Sequence, residues 1–171
     1  MLAYPKGLTR VAPDGRTAYV ITASAGERGP LYGHQRSPMP KLFRVIIPVA
    51  DIERATRFYK EVLDASGLRV SPGRHYFNCE GTILACYDPW ADGDGYDATP
   101  IPEPIYISVD DLEATFRRAK NAGAAFSPEV VQDVGHLGEI AERPWGERSF
   151  YAADPFGNPL CFVSRESVFT G

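Results

Sequence analysis

Apolar and polar positions along the chain form one pattern that occurs twice. An apolar run ending at Val49 leads into Asp51 and an amphipathic segment, and a second run ending at Val109 leads into Asp111 and another such segment. The two aspartates lie 60 positions apart, since 111 − 51 = 60. A repeated unit of this kind indicates two similar halves packed about a pseudo-twofold axis. We expect their curved sheets to face each other and to leave a cleft between them.

The first copy predicts a strand, a helix and three further strands. Phe43–Val49 alternates as a strand, and Asp51 suits the N-cap of a helix because its carboxylate can accept backbone N–H groups. Gly67 is the expected helix terminator, and residues 69–88 divide into three short strands. The apolar positions of the helix recur with the period of one helical face: Ile52, Ala55, Phe58, Tyr59, Val62 and Leu63.

The second copy predicts the same order of elements. Ile105–Val109 is strand-like, Asp110 or Asp111 caps the helix that buries Leu112, Phe116 and Ala119, and Gly123 ends it. Three strand-like pieces follow, of which the last two are joined by a tight turn over residues 154–158: Glu129–Val134, Arg148–Ala152 and Pro159–Ser164. Each half therefore reads β-α-β-β-β, and the predicted fold class is α+β, with curved mixed sheets around a cleft and the helices on the convex face.

Composition shifts predict the organisation of the chain. We assign residues 41–90 to the first module, 91–102 to a Gly-, Pro- and Asp-rich linker, 103–166 to the second module and 167–171 to a tail. Residues 1–40 read as a poorly packed extension or as the result of a start codon placed too far upstream. Residues 11–20 do resemble a β-hairpin with an Asp-Gly turn, but a single hairpin cannot bury its own faces.

The charge and the cysteine content of the chain restrict the cellular compartment and the partners that we expect for it. The net charge is −4 and no basic run could form a phosphate-binding stripe, so we expect no nucleic acid partner. No apolar stretch is long enough to span a membrane. Cys79, Cys86 and Cys161 are an odd number without CxxC spacing, which favours reduced thiols in a cytoplasmic protein. We also expect a homodimer.

Two motifs carry a family resemblance. The first is Pro48-Val49-Ala50-Asp51 followed by Arg57-Phe58-Tyr59 and Val62-Leu63, and the second is Asp154-Pro155-Phe156-Gly157-Asn158. With the paired modules, they resemble the vicinal oxygen chelate superfamily, which includes glyoxalase I, extradiol dioxygenases, and fosfomycin- and bleomycin-resistance proteins. The resemblance covers residues 41–165 and is specific for the fold. It is weak for the reaction, because one scaffold hosts many chemistries.

The resemblance also assigns four metal-ligand positions. They fall on Arg44, Ala85, Pro104 and Cys161 in this chain. Arginine stays protonated and only donates, and proline and alanine have no donor atom in their side chains. Cysteine alone is a soft ligand that does not hold a hard cation. We therefore expect no metal cofactor at the usual place.

A relocated metal site is the alternative. It would use His75 and His136 with Glu139 or Glu142, although nothing in their spacing requires a metal. His34, the remaining histidine, lies in the extension. The simpler interpretation is that these histidines and glutamates are surface or loop residues.

Strand alternation predicts what lines the cleft instead. Arg44 is the most informative of the residues expected to line the cleft, because an inward guanidinium needs a carboxylate partner. That carboxylate could come from the protein or from a ligand, and both interpretations stay open. Cys161 reads as an inert core thiol more readily than as a nucleophile. The predicted substrate-binding residues are Arg44, Ile46, Tyr87, Tyr106, Ser108, Trp145, Arg148 and Cys161.

Three functions are consistent with these sequence features. The first is metal-independent binding of a small anionic or aromatic molecule in the inter-module cleft, in the manner of bleomycin-resistance proteins. Arg44 argues against a cationic drug as that ligand. The second is a metal-dependent lyase or dioxygenase with non-standard ligands, and the third is a protein-interaction module.

The extension should be dispensable for stability. Its composition offers few apolar anchors, so ordering it costs conformational entropy with little burial in return. We expect a chain that begins at Met39 to keep its thermal midpoint within a few degrees of the full chain, measured by differential scanning fluorimetry. A large drop would show that Ala18–Thr22 docks on the rest of the protein or on a second subunit.

Overall fold

The computed structural model describes residues 9–11, 17–19, 40–126 and 138–169. The chain divides into two compact units, Met1–Pro40 and Lys41–Gly171. In the first unit, strand β1 (Thr9–Val11) pairs antiparallel with strand β2 (Thr17–Tyr19), and the predicted Asp-Gly turn between them lies outside the described residues. That residues 1–40 pack poorly stays a prediction, because most of them lie outside the described ranges.

The first module forms a four-stranded mixed sheet with one helix. Along the chain it comprises β3 (Arg44–Pro48), α1 (Ile52–Leu63), β4 (Leu68–Ser71), β5 (Arg74–Cys79) and β6 (Thr82–Tyr87). Sheet 1 has the strand order β3-β6-β5-β4, in which β3 and β6 are parallel and the other pairs are antiparallel. All three short strands predicted within residues 69–88 are confirmed.

The second module repeats this topology. It comprises β7 (Ile105–Val109), α2 (Leu112–Asn121), β8 (Ala141–Glu142), β9 (Arg148–Ala153) and β10 (Pro159–Ser164). Sheet 2 has the order β7-β10-β9-β8, again with a parallel first pair, so the predicted repeat and the α+β fold class are confirmed. The predicted strand Glu129–Val134 lies outside the described residues.

Aspartates lie at three of the four ends of α1 and α2. The Asp51 carboxylate accepts the Arg54 N–H at 2.9 Å, and that of Asp111, not Asp110, accepts the Ala114 N–H at 2.8 Å. The prediction that Gly67 ends the first helix was wrong. Asp64 ends it with φ 51°, because aspartate tolerates the left-handed region and its N–H still reaches the Lys60 carbonyl. No helix in the described ranges is long and apolar enough to cross a membrane.

The helix-bearing faces of the two sheets share one hydrophobic core. Alternate residues along each strand point to opposite faces, so one face of each sheet is free to pack on a helix. Both helices contribute buried side chains, such as Tyr59 and Leu112. Sheet residues from both modules belong to the same cluster, among them Ile47, Phe77, Leu84, Phe150, Leu160 and Phe162. The modules are thus joined on their helix side.

A buried turn between β9 and β10 connects the modules by hydrogen bonds. The Tyr59 hydroxyl donates to Asp154 Oδ2 at 2.9 Å. The Asn158 amide donates to the same carboxylate at 2.7 Å and to the Pro48 carbonyl at 2.8 Å, and it accepts the Ile101 N–H at 3.1 Å. Asn158 has no exposed surface. These partners come from α1, β3 and the linker, so one turn ties together three separate segments.

Replacing Asn158 should loosen this connection. Asn158→Ala leaves the Pro48 carbonyl and the Ile101 N–H without their partners, and each buried unsatisfied group costs about 1–3 kcal/mol. We therefore expect the free energy of unfolding in urea to fall by about 2–4 kcal/mol. Asn121→Ala, at the exposed end of α2, is the matched control and should change it by less than about 0.5 kcal/mol. Equal effects of the two substitutions would contradict this role.

Candidate functional site

Sheet 1 has an open face on the side away from α1. Its residues include Arg44, Ile46, Arg74, Tyr76, Ile83, Ala85 and Tyr87, which alternate with the core residues of β3, β5 and β6. Ile46, Ala85 and Tyr76 stand side by side in the strand register. Ala85 is fully buried at the floor, whereas Ile46 is 46% exposed. The open face is therefore a shallow apolar and aromatic surface with larger side chains around a small one.

Arg44 supplies the open face with a cation. Its guanidinium carbon lies 4.7 Å from the centre of the Tyr76 ring and 5.0 Å from that of Phe43. In the described part of the chain, the guanidinium has these ring contacts but no hydrogen bond or ion pair. The expected partner carboxylate is thus not supplied by the described residues. The N–H donors of Arg44 remain available to an anion.

Arg74, the neighbouring cation, differs from Arg44 because it has a carboxylate partner. Its Nε donates to Asp92 Oδ2 at 2.6 Å, and its guanidinium lies 4.1 Å from the centre of the Tyr87 ring. Hydrogen bonds from Ser71 and then from Arg74 lower the pKa of Asp92, so this carboxylate stays ionised. Arg74 therefore holds the linker against the sheet, and its charge is already matched.

The linker closes one end of the open face. The Tyr87 hydroxyl bonds to Asp94 and lies 2.9 Å from the Tyr96 hydroxyl. The bond to Asp94 is the first cause of the raised pKa of Tyr87. Trp90 Nε1 donates to Asp97 at 2.8 Å. Tyr87, a predicted binding residue, is thus held by its hydroxyl, and its ring remains the part that can contact a ligand.

The corresponding face of sheet 2 is filled by the protein itself. Tyr151, Cys161 and Val163 form a separate buried cluster with Val168 packed against them. The Arg143 guanidinium lies 4.9 Å from the centre of the Tyr151 ring, and its Nε donates to Ser149 Oγ. Burial raises the pKa of Cys161 to about 11, so the thiol is protonated at neutral pH and is a poor nucleophile.

The other predicted binding residues are distributed around sheet 2. Tyr106 places its hydroxyl 3.2 Å from that of Tyr151, and Ser108 is exposed beside it on β7. Arg148 pairs with Glu113 of α2, on the helix-bearing side, and Trp145 Nε1 donates to Glu147 at 2.8 Å. The structure thus brings Tyr106 and Cys161 together around Tyr151, and Arg44, Ile46 and Tyr87 together on sheet 1.

The two groups are not joined by polar contacts. No hydrogen bond, ion pair or ring contact between described residues links a side chain of the open face to the Tyr151 cluster. Their meeting in one cleft, and their contact with a ligand, stay predictions. Sequence reasoning missed Tyr76 and Arg74, although alternation along β5 would have placed both on the same face as Tyr87.

The residues at the inherited metal positions do not fit a metal. Arg44 is a permanent cation, Ala85 has no donor, Pro104 only precedes β7, and the Cys161 thiol is buried and protonated. No cluster of three His, Cys, Asp or Glu side chains that could hold a metal ion occurs within residues 40–126 and 138–169. Of the relocated set, His136 lies outside the described residues, while Glu139 and Glu142 are exposed.

His75 has a structural environment on the core side of β5. Its ring packs on Phe77 at 4.9 Å between centres, and its Nε2 lies 3.1 Å from the Ser66 carbonyl. Nδ1 is buried and has no hydrogen-bond partner among the residues that the structure describes. A Cβ on Gly67 would fall 2.4 Å from the ring, so glycine is required at this position to let the ring in. The absence of a side chain at Gly67 serves packing and not helix termination.

Comparison with known proteins gives a family match and a fold match. The model of the Glyoxalase/Bleomycin resistance protein/Dioxygenase superfamily matches residues 41–162, which is more than half of the chain. Solved structures agree in fold. A glyoxalase/bleomycin resistance protein from Albidiferax ferrireducens T118 is 18% identical with a TM-score of 0.59, over 72% of this chain and 97% of that one.

Two further structures are similar to the chain. A glyoxalase-related enzyme from Fulvimarina pelagi is 18% identical with a TM-score of 0.58, covering 74% of this chain and 88% of that one. A lactoylglutathione lyase from Agrobacterium tumefaciens is 20% identical with a TM-score of 0.50, covering 76% and 97%. At these identities the likeness concerns the fold alone. No functionally curated protein matches the sequence.

The burial of His75 should make stability depend on pH. Burial, followed by the nearby Arg69 and Lys60, lowers its pKa below 6.5, although the Ser66 carbonyl and Glu53 oppose the shift. The unfolded chain therefore binds a proton more readily, and the contribution of His75 is full above about pH 6.5 and lost as the pH falls. We expect urea unfolding to show a larger loss between about pH 7.5 and 5.5 in the wild type than in His75→Gln. Equal losses would contradict this account, since all other titrating groups are common to both proteins.

Proposed function

Because the chain belongs to the glyoxalase/bleomycin resistance protein/dioxygenase superfamily, we propose that it binds a small anionic aromatic molecule on the open face of sheet 1, without a metal. The observation that carries this proposal is the guanidinium of Arg44, which lies over two aromatic rings and has no carboxylate partner among the described residues. A carboxylate on the ligand would supply that partner.

The energies of the competing contacts favour ligand capture by Arg44. An exposed cation–π contact contributes about 0.5–1 kcal/mol and an exposed ion pair about 0–1 kcal/mol, whereas a hydrogen bond to a charged group that is shielded from water contributes about 1.5–3 kcal/mol. A carboxylate can also accept two parallel N–H bonds from one guanidinium. A carboxylate that the body of the ligand shields from water would therefore stabilise Arg44 more than its present ring contacts do, and it need not displace an ion pair among the described residues.

The surroundings of Arg44 favour an aromatic body for the ligand. Tyr76 and Tyr87 present ring surface on the same face, and Ile46 adds a half-exposed apolar side chain beside the small Ala85. Aromatic rings pack on one another with gains beyond their buried area. Together these side chains form an apolar surface with one fixed charge, which is the usual composition of a small-molecule site.

The donor set supports metal independence. The four inherited positions cannot form a divalent-cation site, so the proposal needs no metal for binding. The alternative is a metal-dependent lyase or dioxygenase, which would require ligands other than these. A chelator tests between them directly.

We also propose a homodimer, located in the cytoplasm, without nucleic acid or membrane partners. Sheet 1 carries exposed apolar side chains, Leu68 at 68% and Val70 at 50%, and contiguous exposed apolar surface of this kind often marks a protein interface. The net charge of −4 opposes nucleic acid binding, and the three cysteines are free thiols, as suits a reducing compartment. Multi-angle light scattering measures the subunit number.

Arg44→Met should remove anion binding and leave the fold intact. We expect wild-type protein, treated with EDTA and exchanged into metal-free buffer, to bind 2-naphthoate in calorimetric titrations and to bind the neutral 2-naphthylmethanol more weakly. Arg44→Met should lose at least about tenfold in affinity for the acid, equivalent to about 1.4 kcal/mol, and little for the alcohol. Arg69→Met is the matched control, because Arg69 pairs with Glu53 on the helix side of the same sheet.

Three results would count against this proposal. Equal losses in Arg44→Met and Arg69→Met would remove Arg44 as the anion contact. A fall of about 3–5 kcal/mol in the unfolding free energy of Arg44→Met would mean that a buried protein carboxylate is its partner. Binding that disappears with EDTA and returns with a divalent metal would favour the metal-dependent enzyme.

A further inference from the structure

A groove of about 630 Å³ lies between the two modules, apart from the open face. Its walls are mainly apolar, although Tyr106 and Ser108 of β7 also line it, and they come from both halves of the protein. The first module contributes Val45, Leu63 and Cys79, and the second contributes Ile105, Ile107 and Val109. All six are only partly buried, so the shared core leaves this space unfilled. We refer to it as the inter-module groove.

The groove is separate from the proposed anion site. Val45 lines it and directly follows Arg44 on β3, so the two side chains point to opposite faces of sheet 1. None of Arg44, Tyr76 or Tyr87 lines the groove. A molecule bound in the groove would therefore lie on the helix side of the sheet and would not contact the Arg44 guanidinium.

The rim of the groove carries an excess of negative charge. Four acidic residues line it, Asp64, Glu80, Asp110 and Asp111, against Arg118 and Arg165, which leaves 4 − 2 = 2 negative charges. Both arginines are already engaged. Arg165 pairs with Glu80 at 2.7 Å and with Asp110 at 2.8 Å, and Arg118 donates to the Val62 carbonyl and to Thr115. Asp64 and Asp111 form no ion pair with another described residue.

Asp64 has the poorer electrostatic environment of these two carboxylates. Asp111 caps the N-terminus of α2, where a negative charge is stabilised. Asp64 instead lies at the C-terminus of α1, beside the carbonyl ends of the helix, where a cation is favoured. A cation bound at the rim would be attracted both by Asp64 and by the helix end next to it.

We propose that the inter-module groove binds a small amphipathic cation, with its apolar body against the β7 side chains and its ammonium group at Asp64. The volume is within the range of about 300–1,000 Å³ that small-molecule sites occupy. The apolar walls take up the body of the molecule, and the charge excess of the rim selects the sign of its head group. This site is independent of the proposed function, since it shares no side chain with the open face.

Cys79 provides a local readout of occupancy. It lines the groove and is partly exposed, whereas Cys86 and Cys161, the other two cysteines of the chain, are buried at 0% and 1% exposure. Alkylation by iodoacetamide therefore reports on Cys79. Burial raises the pKa of this thiol, so the reaction is followed at about pH 8.5, where part of it is ionised.

The experiment compares three probes with one apolar body. They are 2-naphthylmethylammonium, 2-naphthylmethanol and 2-naphthoate. We expect the ammonium compound to slow alkylation of Cys79 at least about fivefold, and the alcohol and the carboxylate to protect much less at the same concentration. Asp64→Asn, which keeps a residue that tolerates the left-handed backbone, should weaken protection by the ammonium compound several-fold.

Two control variants test whether protection of Cys79 depends on the charge at Asp64. Glu61→Gln removes an exposed charge from the same helix outside the groove, and Arg44→Met disables the proposed anion site; neither should change protection of Cys79. Absence of protection, equal protection by all three probes, or an equal effect of Glu61→Gln and Asp64→Asn would overturn the proposal. It would also be overturned if Cys79 reacted only at dilutions that dissociate a dimer, because a second copy would then cover the groove.

Discussion

The arrangement of the two modules depends on the hydrogen bonds that the buried carboxylate of Asp154 accepts. This carboxylate accepts hydrogen bonds from Tyr59 of the first module and from Asn158 of its own turn, and Asn158 continues the network to the Pro48 carbonyl at the end of β3. Burial raises the pKa of Asp154, while these hydrogen bonds oppose that shift. Because the network fixes the β9–β10 turn against α1, the helix-bearing faces share a core. The opposite faces of the sheets are then left for other contacts.

Local patterns were sufficient to predict most of the fold. Alternation placed β3, β7, β9 and β10 within a residue or two, and Asp51 and Asp111 are the N-caps of the two helices. Gly67 shows the limit of such reasoning. It was assigned to helix termination, a local role, but the space it leaves is used by the His75 ring from a different strand. The helix ends at Asp64 instead, and a rule that places glycine at helix ends does not predict this.

The candidate site was predictable in position but not in its partners. Which face of β3 holds Arg44 follows from alternation, whereas its contact with Tyr76 depends on the pairing of β5 with β6 and was not anticipated. The same applies to sheet 2, where Cys161 was correctly placed among apolar residues. Its contact with Tyr151 depends on the pairing of β9 with β10, and that with Val168 depends on the chain after β10. The pseudo-symmetry of the sequence therefore does not extend to the side chains on the faces away from the helices. One module presents an open face with a cation, and the other fills the equivalent face with its own side chains.

The most direct test of this account is to observe the arginine side chains during ligand binding. In a two-dimensional 15N–1H spectrum of the Nε–H groups, assigned with Arg44→Met, titration with 2-naphthoate should shift the Arg44 resonance first and furthest. The Arg74 resonance should move little, because its Nε–H is held by Asp92. A titration that shifts Arg74 or Arg143 and leaves Arg44 unchanged would contradict the account, and it would place the anion outside the open face of sheet 1.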